Sequence, residues 1–157
     1  MVKKRDEISD AYKWDLTTIF ETDSLFEAEL TSVLSAIDDV PKLSGTLINS
    51  ADTLLTITEL ELALMQRFEK LYVYASMKND QDTTVSLYQE YQAKVTGLYA
   101  KFSEAFAFYE PEFMSLSQEQ FGQFNIDKPQ LKASGHFFGA LFEKKQHVLS
   151  SAEEVIL

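Results

Sequence analysis

The sequence predicts an all-α protein: an antiparallel helical bundle in which two long helices form a hairpin and shorter helices flank them. Gly and Pro number only 5 and 3 among 157 residues, and 45% of the residues are apolar, which is a composition typical of a packed helical domain. Apolar residues recur at helical spacing along most of the chain, and no convincing pair of strands is visible. A chain of this length is expected to form a single domain, residues 1–157.

The first helix is predicted over residues 24 to 37. Ser24 and Glu27 have the spacing of a capping box at its start, and Pro41 lies in a connecting loop over residues 38 to 49. Four apolar residues of this segment fall on one helical face: Phe26, Leu30, Val33 and Ile37.

Two long helices follow. Residues 50 to 77 contain no Gly or Pro and keep helical periodicity, and the polar segment 78–83 is predicted to be the turn after them. Pro111 marks where the second long helix must end or restart. Since the turn is short, the two helices are expected to form an antiparallel hairpin. The apolar stripe of the second helix is nearly heptad in spacing: Tyr88, Tyr91, Val95, Leu98, Phe102, Ala105 and Tyr109.

Shorter helices are predicted towards the C-terminus. Ser117 and Gln120 form a capping box that opens one of them, Pro129 breaks it, and residues 131 to about 145 form another. A further capping box, Ser150 with Glu153, precedes three consecutive apolar residues at 155–157. Seven residues cannot form an independently stable helix, so this pattern predicts a chain cut inside a larger protein. A last helical turn packed onto the bundle is the alternative.

Charge and composition exclude several classes of function. The net charge of −11 opposes binding to nucleic acid and to anionic membranes. The chain has no Cys, which excludes disulfide scaffolds and thiol nucleophiles and favours the cytoplasm. No export signal and no membrane-spanning apolar segment is visible.

No catalytic or metal site is predicted within these 157 residues. Neither His136 nor His147 lies in an HExxH motif or follows a Glu by three residues, so the zinc-peptidase and di-iron patterns are missing from this chain. The five Gly residues are too scattered for a phosphate-binding loop. The numerous carboxylates are expected to form a solvated surface.

Five residues are candidates for a substrate-lining wall or an interface. The chain has 12 Phe, 7 Tyr and 1 Trp, and some of this aromatic surface is expected to face a partner. The alternative is that the rings pack within the bundle and that the turn residues only cap helices. The candidates are Tyr72, Tyr74, Asn79, Asp80 and Phe108.

An ordered set of segments resembles successive landmarks of oligoendopeptidase F. The resemblance extends over essentially the whole chain, but it corresponds to roughly the N-terminal quarter of a family member. No single segment is as specific as HExxH, so the order and spacing carry the resemblance. The segments are YKWDLT at 12–17 with Ile19 and Phe20, LYVYASMKNDQDT at 71–83, PEF at 111–113, and HVLS at 147–150 with Glu153 and Glu154.

The resemblance implies a cytoplasmic zinc metallopeptidase, related to thimet oligopeptidase, that hydrolyses oligopeptides inside a deep helical cavity. This chain would be the N-terminal domain, forming one wall of the cavity and restricting access to it. In the family, a helix-borne HExxH supplies two His ligands and the Glu that activates a zinc-bound water. Zinc and catalysis are therefore expected in the missing catalytic domain, which would be the partner of this chain.

Two positions depart from the family pattern, and other functions stay open. Glu143 stands where the family often has Arg, and Gly139 stands where it often has a carboxylate. The main alternative is a freestanding acidic helical module for protein interaction or regulation. A third possibility is a truncated paralogue that serves as a subunit of a full-length peptidase. The acidic surface also suggests a preference for cationic peptides.

Overall fold

A computed structural model describes residues 7–145, and the all-α prediction is confirmed because this part of the chain contains no β-strand. The chain divides into two compact units. Within the described residues, the first unit comprises 7–41 together with 61–106, and the second comprises 42–60 together with 107–145. No helix within the described range is long and apolar enough to cross a membrane.

The α-helices have the following bounds: α1 Asp23–Asp39, α2 Ala51–Gln81, α3 Ser86–Ala105, α4 Tyr109–Ser115, α5 Gln118–Asp127 and α6 Gly135–Lys145. Short 3-10 helices lie between them, at Asp10–Tyr12, Leu16–Thr18, Val40–Leu43 and Pro129–Ser134.

The predicted hairpin of long helices is present in the first unit. The rings of Phe68 and Tyr99 lie 5.4 Å apart between centroids, and Ser76 donates a hydrogen bond of 3.0 Å to the Oε1 of Gln92. Because residues later in α2 contact residues earlier in α3, the two helices are antiparallel. Residues 82–85 connect the two helices.

Helix α1 packs on one side of this hairpin. The guanidinium of Arg67 on α2 donates to both carboxylate oxygens of Glu29 on α1, over 2.7 and 3.1 Å. Phe26 of α1 contacts Tyr91 of α3 with 4.6 Å between ring centroids. The first unit is consequently a three-helix bundle in which α1 covers one face of the α2–α3 pair.

The predicted N-cap of α1 is wrong by two residues, and the helix begins one residue earlier than predicted. Thr22 is the N-cap: its backbone is extended and its hydroxyl accepts a hydrogen bond from the amide of Leu25. Ser24 therefore lies inside the helix and forms no capping box with Glu27. A Thr that precedes an acidic first-turn residue, Asp23, satisfies the same free amides.

The predicted turn after α2 is also shifted, because 78–81 continue the helix. The ammonium of Lys78 lies 3.1 Å from Asp23 of α1 and over the rings of Tyr74 and Tyr88. These contacts stabilise an additional helical turn that the polar composition of the segment does not predict. The turn itself is made by Asp82, whose Oδ1 accepts from the amide and hydroxyl of Thr84.

Helix α3 ends at Ala105, and the chain restarts as a helix at Tyr109. Pro111 then stands in the first turn of α4, where its missing N–H leaves no hydrogen bond unmade. The capping box of Ser117 with Gln120 is confirmed at the start of α5. The helix predicted from residue 131 is divided into a 3-10 segment and α6.

The second unit is held by aromatic packing and by one carboxylate. Glu112 on α4 accepts hydrogen bonds from the amides of Gly45, at 2.5 Å, and Leu47, at 3.0 Å. Gly45 has φ of +82°, a conformation that favours glycine. The predictions for Ser150, Glu153 and residues 155–157 lie outside the described residues. A phenylalanine cluster packs in the second unit, with Phe113 and Phe138 fully buried and Phe121 and Phe142 half-buried.

Candidate functional site

Two of the segments that carry the family resemblance meet in one pocket of the first unit. Residues 14–17 and 20–23 line one side, and Tyr74, Lys78 and Gln81 of α2 line the other. The pocket has a volume of about 370 Å³ and opens to solvent. We call it the motif pocket, and its volume lies at the lower end of the range for ligand pockets.

The N-terminal wall of the motif pocket is a tight turn built by Asp15. Its Oδ1 accepts from the hydroxyl of Thr17 at 2.6 Å and from the amide of Thr17 at 3.1 Å. These bonds lower the pKa of Asp15, so the carboxylate is ionised at neutral pH. Gln81 donates from Nε2 to the carbonyl oxygen of Trp14 over 3.3 Å, which joins the turn to the end of α2.

A carboxylate, a phenol and an ammonium form the centre of the motif pocket. The hydroxyl of Tyr74 donates to the Oδ1 of Asp23 over 2.6 Å, and Lys78 lies 3.1 Å from the same oxygen. Burial opposes the charge of Asp23, but the bonds from Tyr74 and Lys78 outweigh it and lower the pKa of Asp23. Asp23 is therefore a fixed anion whose charge is balanced by Lys78.

The floor beneath this centre is aromatic. We define the tyrosine cluster as Phe20, Phe26, Tyr74 and Tyr91, whose neighbouring rings lie 4.6 to 5.8 Å apart between centroids. Burial, together with the bond to Asp23, raises the pKa of Tyr74. Burial likewise raises the pKa of Tyr91, whose hydroxyl donates to Glu27 over 3.2 Å. Both phenols therefore stay protonated and act as hydrogen-bond donors.

The candidate residues predicted from the sequence do not converge on one place. Tyr74 lines the motif pocket with a ring that is only 2% exposed, whereas Tyr72 is 46% exposed on another face of α2. Asn79 is half-buried and Asp80 is exposed, both in the last turn of α2. Phe108 is half-buried and belongs to the second unit. Their roles as wall or interface residues stay predictions.

Of the five candidates only Tyr74 lines the motif pocket, and the sequence does not predict its other lining residues as site residues, among them Trp14, Asp23 and Lys78. In the sequence, Trp14 stands out only as part of the YKWDLT segment, and the polar composition around Lys78 predicts a turn. A helix that begins at Ser24 leaves Asp23 outside it. In the structure α1 begins at Asp23 and α2 extends to Gln81, and Asp23 and Lys78 meet across the two helices.

No metal centre is present among residues 7–145, where no group of three or more His, Cys, Asp or Glu side chains could hold an ion. His136 lies in α6, and His147 falls outside this range. The arrangement of the motif pocket suits recognition of a polar group by fixed charges and aromatic faces.

The whole chain is similar to peptidases from several bacteria. It is 54% identical to the group B oligopeptidase PepB of Streptococcus agalactiae and 52% identical to an oligoendopeptidase F homolog of Lactococcus lactis, and these matches cover 100% of this chain. The oligopeptidase PepF of Bacillus subtilis is 34% identical over 153 residues. The chain spans 23 to 26% of the length of these relatives. No family model matches it.

Solved structures give the same result for the fold. The crystal structure of oligoendopeptidase-F from Enterococcus faecium superposes with a TM-score of 0.74 at 33% identity, over 86% of this chain and 26% of that one. A putative peptidase from Chlamydophila abortus superposes with a TM-score of 0.85 at 27% identity, over 99% of this chain and 26% of that one.

The proteins to which this chain is similar are thus named as peptidases. Along its whole length the chain is similar to oligoendopeptidase F proteins, and the resemblance seen in the sequence is thereby confirmed.

Proposed function

We propose that this chain is the N-terminal helical domain of a cytoplasmic zinc metalloendopeptidase that hydrolyses oligopeptides. The observation that carries the proposal is the similarity to oligoendopeptidase F over the full chain, at 52% identity with one such relative. The sequence contains no HExxH. The zinc and the residues that bind it would accordingly belong to a catalytic domain of the same polypeptide.

The domain would contribute by exclusion and positioning rather than by chemistry. Rigid helical walls admit a flexible peptide and keep out folded proteins, and an extended peptide can then be held in the geometry needed for attack. Tyr74, Asn79 and Asp80 are the candidates for this wall, because they lie at or near the end of α2 that borders the motif pocket. Phe108 is a further candidate from the second unit.

The test compares the longer polypeptide that carries this sequence with the 157-residue chain alone. Both are incubated with peptides of increasing length, with and without a zinc chelator. The proposal expects cleavage of short peptides by the longer polypeptide, loss of cleavage after chelation, and none by the chain alone. Cleavage that survives chelation, or zinc-dependent cleavage by the chain alone, would contradict it.

A freestanding helical interaction module is the alternative, and the half-exposed rings of Tyr72 and Tyr99 favour it. The intact mass of the protein from its source decides between the two. A native mass near 17.9 kDa supports the interaction module, and a mass about fourfold larger supports the peptidase domain, since these residues span 26% of the relatives.

A further inference from the structure

The α2–α3 hairpin has one face that α1 does not cover. On this face side chains of the two helices meet along a line, which we call the uncharged seam. Its central contacts are the 5.4 Å between the rings of Phe68 and Tyr99 and the hydrogen bond from Ser76 to Gln92. The seam comprises Phe68, Tyr72 and Ser76 of α2 and Gln92, Thr96 and Tyr99 of α3.

The uncharged seam exposes aromatic surface to solvent. Tyr72 is 46% exposed and Tyr99 is 53% exposed, although both rings pack against the same buried Phe68. A helix-spaced row of this kind, repeating at three and four residues, forms a continuous face. The exposed rings are thus neighbours on one surface rather than scattered side chains.

The absence of charge on the seam sets it apart from the rest of the bundle. A quarter of the chain is charged, yet none of the six seam residues is. The face of the same hairpin that α1 covers has ion pairs at its rim, Glu29 with Arg67 and Asp23 with Lys78. Depletion of charge with enrichment of Tyr is the composition of an interface core.

We propose that the uncharged seam is the docking surface for a helix of the remaining part of a longer polypeptide. This inference rests on the proposed function, in which the chain is one domain of an oligoendopeptidase. About three quarters of each relative's length lies outside the matched region, so ample chain is available to cover the seam. A groove between two antiparallel helices accepts a third helix, as α1 demonstrates on the opposite face. The docking helix presents an apolar, uncharged face.

The experiment places single thiols on the longer polypeptide, which is simplified by the lack of Cys in these 157 residues. Tyr99→Cys and Thr96→Cys probe the seam. Leu25→Cys is the matched control, because Leu25 is a 50% exposed apolar residue of α1, away from the seam. The rate of alkylation at each position is measured by mass spectrometry of the peptide that contains it, after circular dichroism has shown a native fold.

The proposal expects both seam thiols to be alkylated at least ~10-fold more slowly than the control thiol, because access governs the reaction of otherwise similar thiols. Equal rates would overturn it. Protection that appears only when a peptide is added identifies the seam as a substrate surface, and protection that grows with protein concentration identifies a second copy; both results overturn the proposal.

Thiol protection and peptidase activity, measured on the same polypeptide, distinguish failure of the docking surface from failure of the proposed function. If the longer polypeptide protects the seam thiols but has no zinc-dependent peptidase activity, the docking surface stands and the proposed activity falls. If the polypeptide cleaves peptides but leaves the seam thiols as reactive as the control, the activity stands and the docking surface falls.

Discussion

Each of the two units contains a cluster of packed aromatic rings, but the two clusters differ in their residue types. The tyrosine cluster of the first unit contains two phenols, and each donates a hydrogen bond to a carboxylate of α1, Asp23 or Glu27. The phenylalanine cluster of the second unit has rings at similar separations, 5.0 to 5.6 Å, and no polar atom. Packing alone holds the second cluster, whereas the first also depends on ionised groups.

Because of this difference, the two clusters stabilise their units by different interactions. A purely apolar cluster is indifferent to pH and salt and contributes through burial. A cluster whose hydroxyls bind carboxylates fixes the direction of each ring and extends into the motif pocket. The two clusters should therefore respond differently to substitution and to pH.

Removing the central ring of the phenylalanine cluster should have the largest effect. Phe113 is fully buried and contacts three other rings. Phe113→Ala should lower the free energy of unfolding by about 3–5 kcal/mol, measured by urea denaturation. Phe137→Ala is the control, since Phe137 is 40% exposed and should cost much less. A loss below about 1 kcal/mol at Phe113 would contradict the assigned role.

Adding a hydroxyl to the apolar cluster should cost somewhat less. Phe138 is fully buried and stacks on Phe113 at 5.1 Å. Phe138→Tyr would bury a donor among rings, with an expected loss of about 1–3 kcal/mol. The same denaturation assay reports it. Unchanged stability would mean that the cluster has room for a polar partner, which would weaken the contrast with the first unit.

Removing a hydroxyl from the tyrosine cluster is the reciprocal change. Tyr74→Phe deletes the 2.6 Å bond to Asp23 while keeping the ring. Since a third of the Asp23 side chain stays in water, the expected loss is about 1 kcal/mol. Tyr91→Phe, which deletes a 3.2 Å bond, should cost less. If Tyr91→Phe were the more damaging variant, the short bond would not be the main polar link.

The smallest effect is expected from protonation of one carboxylate at the tyrosine cluster, that of Asp23. The folded pKa of Asp23 lies below its ordinary value of 3.8, so its contribution to stability is present above that pH and is lost as the pH falls through the folded pKa. The advantage of the wild type over Asp23→Asn at pH 7 should therefore shrink below about pH 4. Thermal unfolding followed by the fluorescence of Trp14, the only Trp, measures it.

An advantage that stays constant down to pH 3 would show that Asp23 acts through its shape and not its charge. The opposite end of the pH scale gives an independent check. The pKa of Tyr74 is raised above its ordinary value of 10.0, so its contribution is present below pH 10 and should decline as the pH rises further.

Apolar periodicity is sufficient to predict the helices, and contacts between helices explain where the predicted helix ends are wrong. The predicted stripe is buried from Tyr91 to Tyr109, because burial follows helical spacing, but its first member, Tyr88, is only half-buried and its last, Tyr109, belongs to α4. The extra turn at the end of α2 could not be predicted, since it depends on Lys78 reaching Asp23 across two helices. Tyr72 and Tyr74 show the same limit: spacing indicates that they face different ways, and only tertiary contacts determine which ring is buried.

From the sequence alone, the motif pocket can be recognised only as two separate segments. The family resemblance marked both YKWDLT and the end of α2, but it contained no information about their contact. The bond from Gln81 to the Trp14 carbonyl and the pair of Asp23 with Lys78 arise from three-dimensional packing. Long-range polar contacts of this kind leave no periodic pattern.

The carboxylate of Glu112 also determines where the chain tolerates new material. The segment 44–47 is a loop with an exposed Ser44 and Gly45, and such loops are ordinarily good sites for inserted tags or reporter domains. Here two amides, of Gly45 and Leu47, must both reach one side chain more than sixty residues away. An insertion between them separates the two donors, so a label for fluorescence or purification is better placed elsewhere.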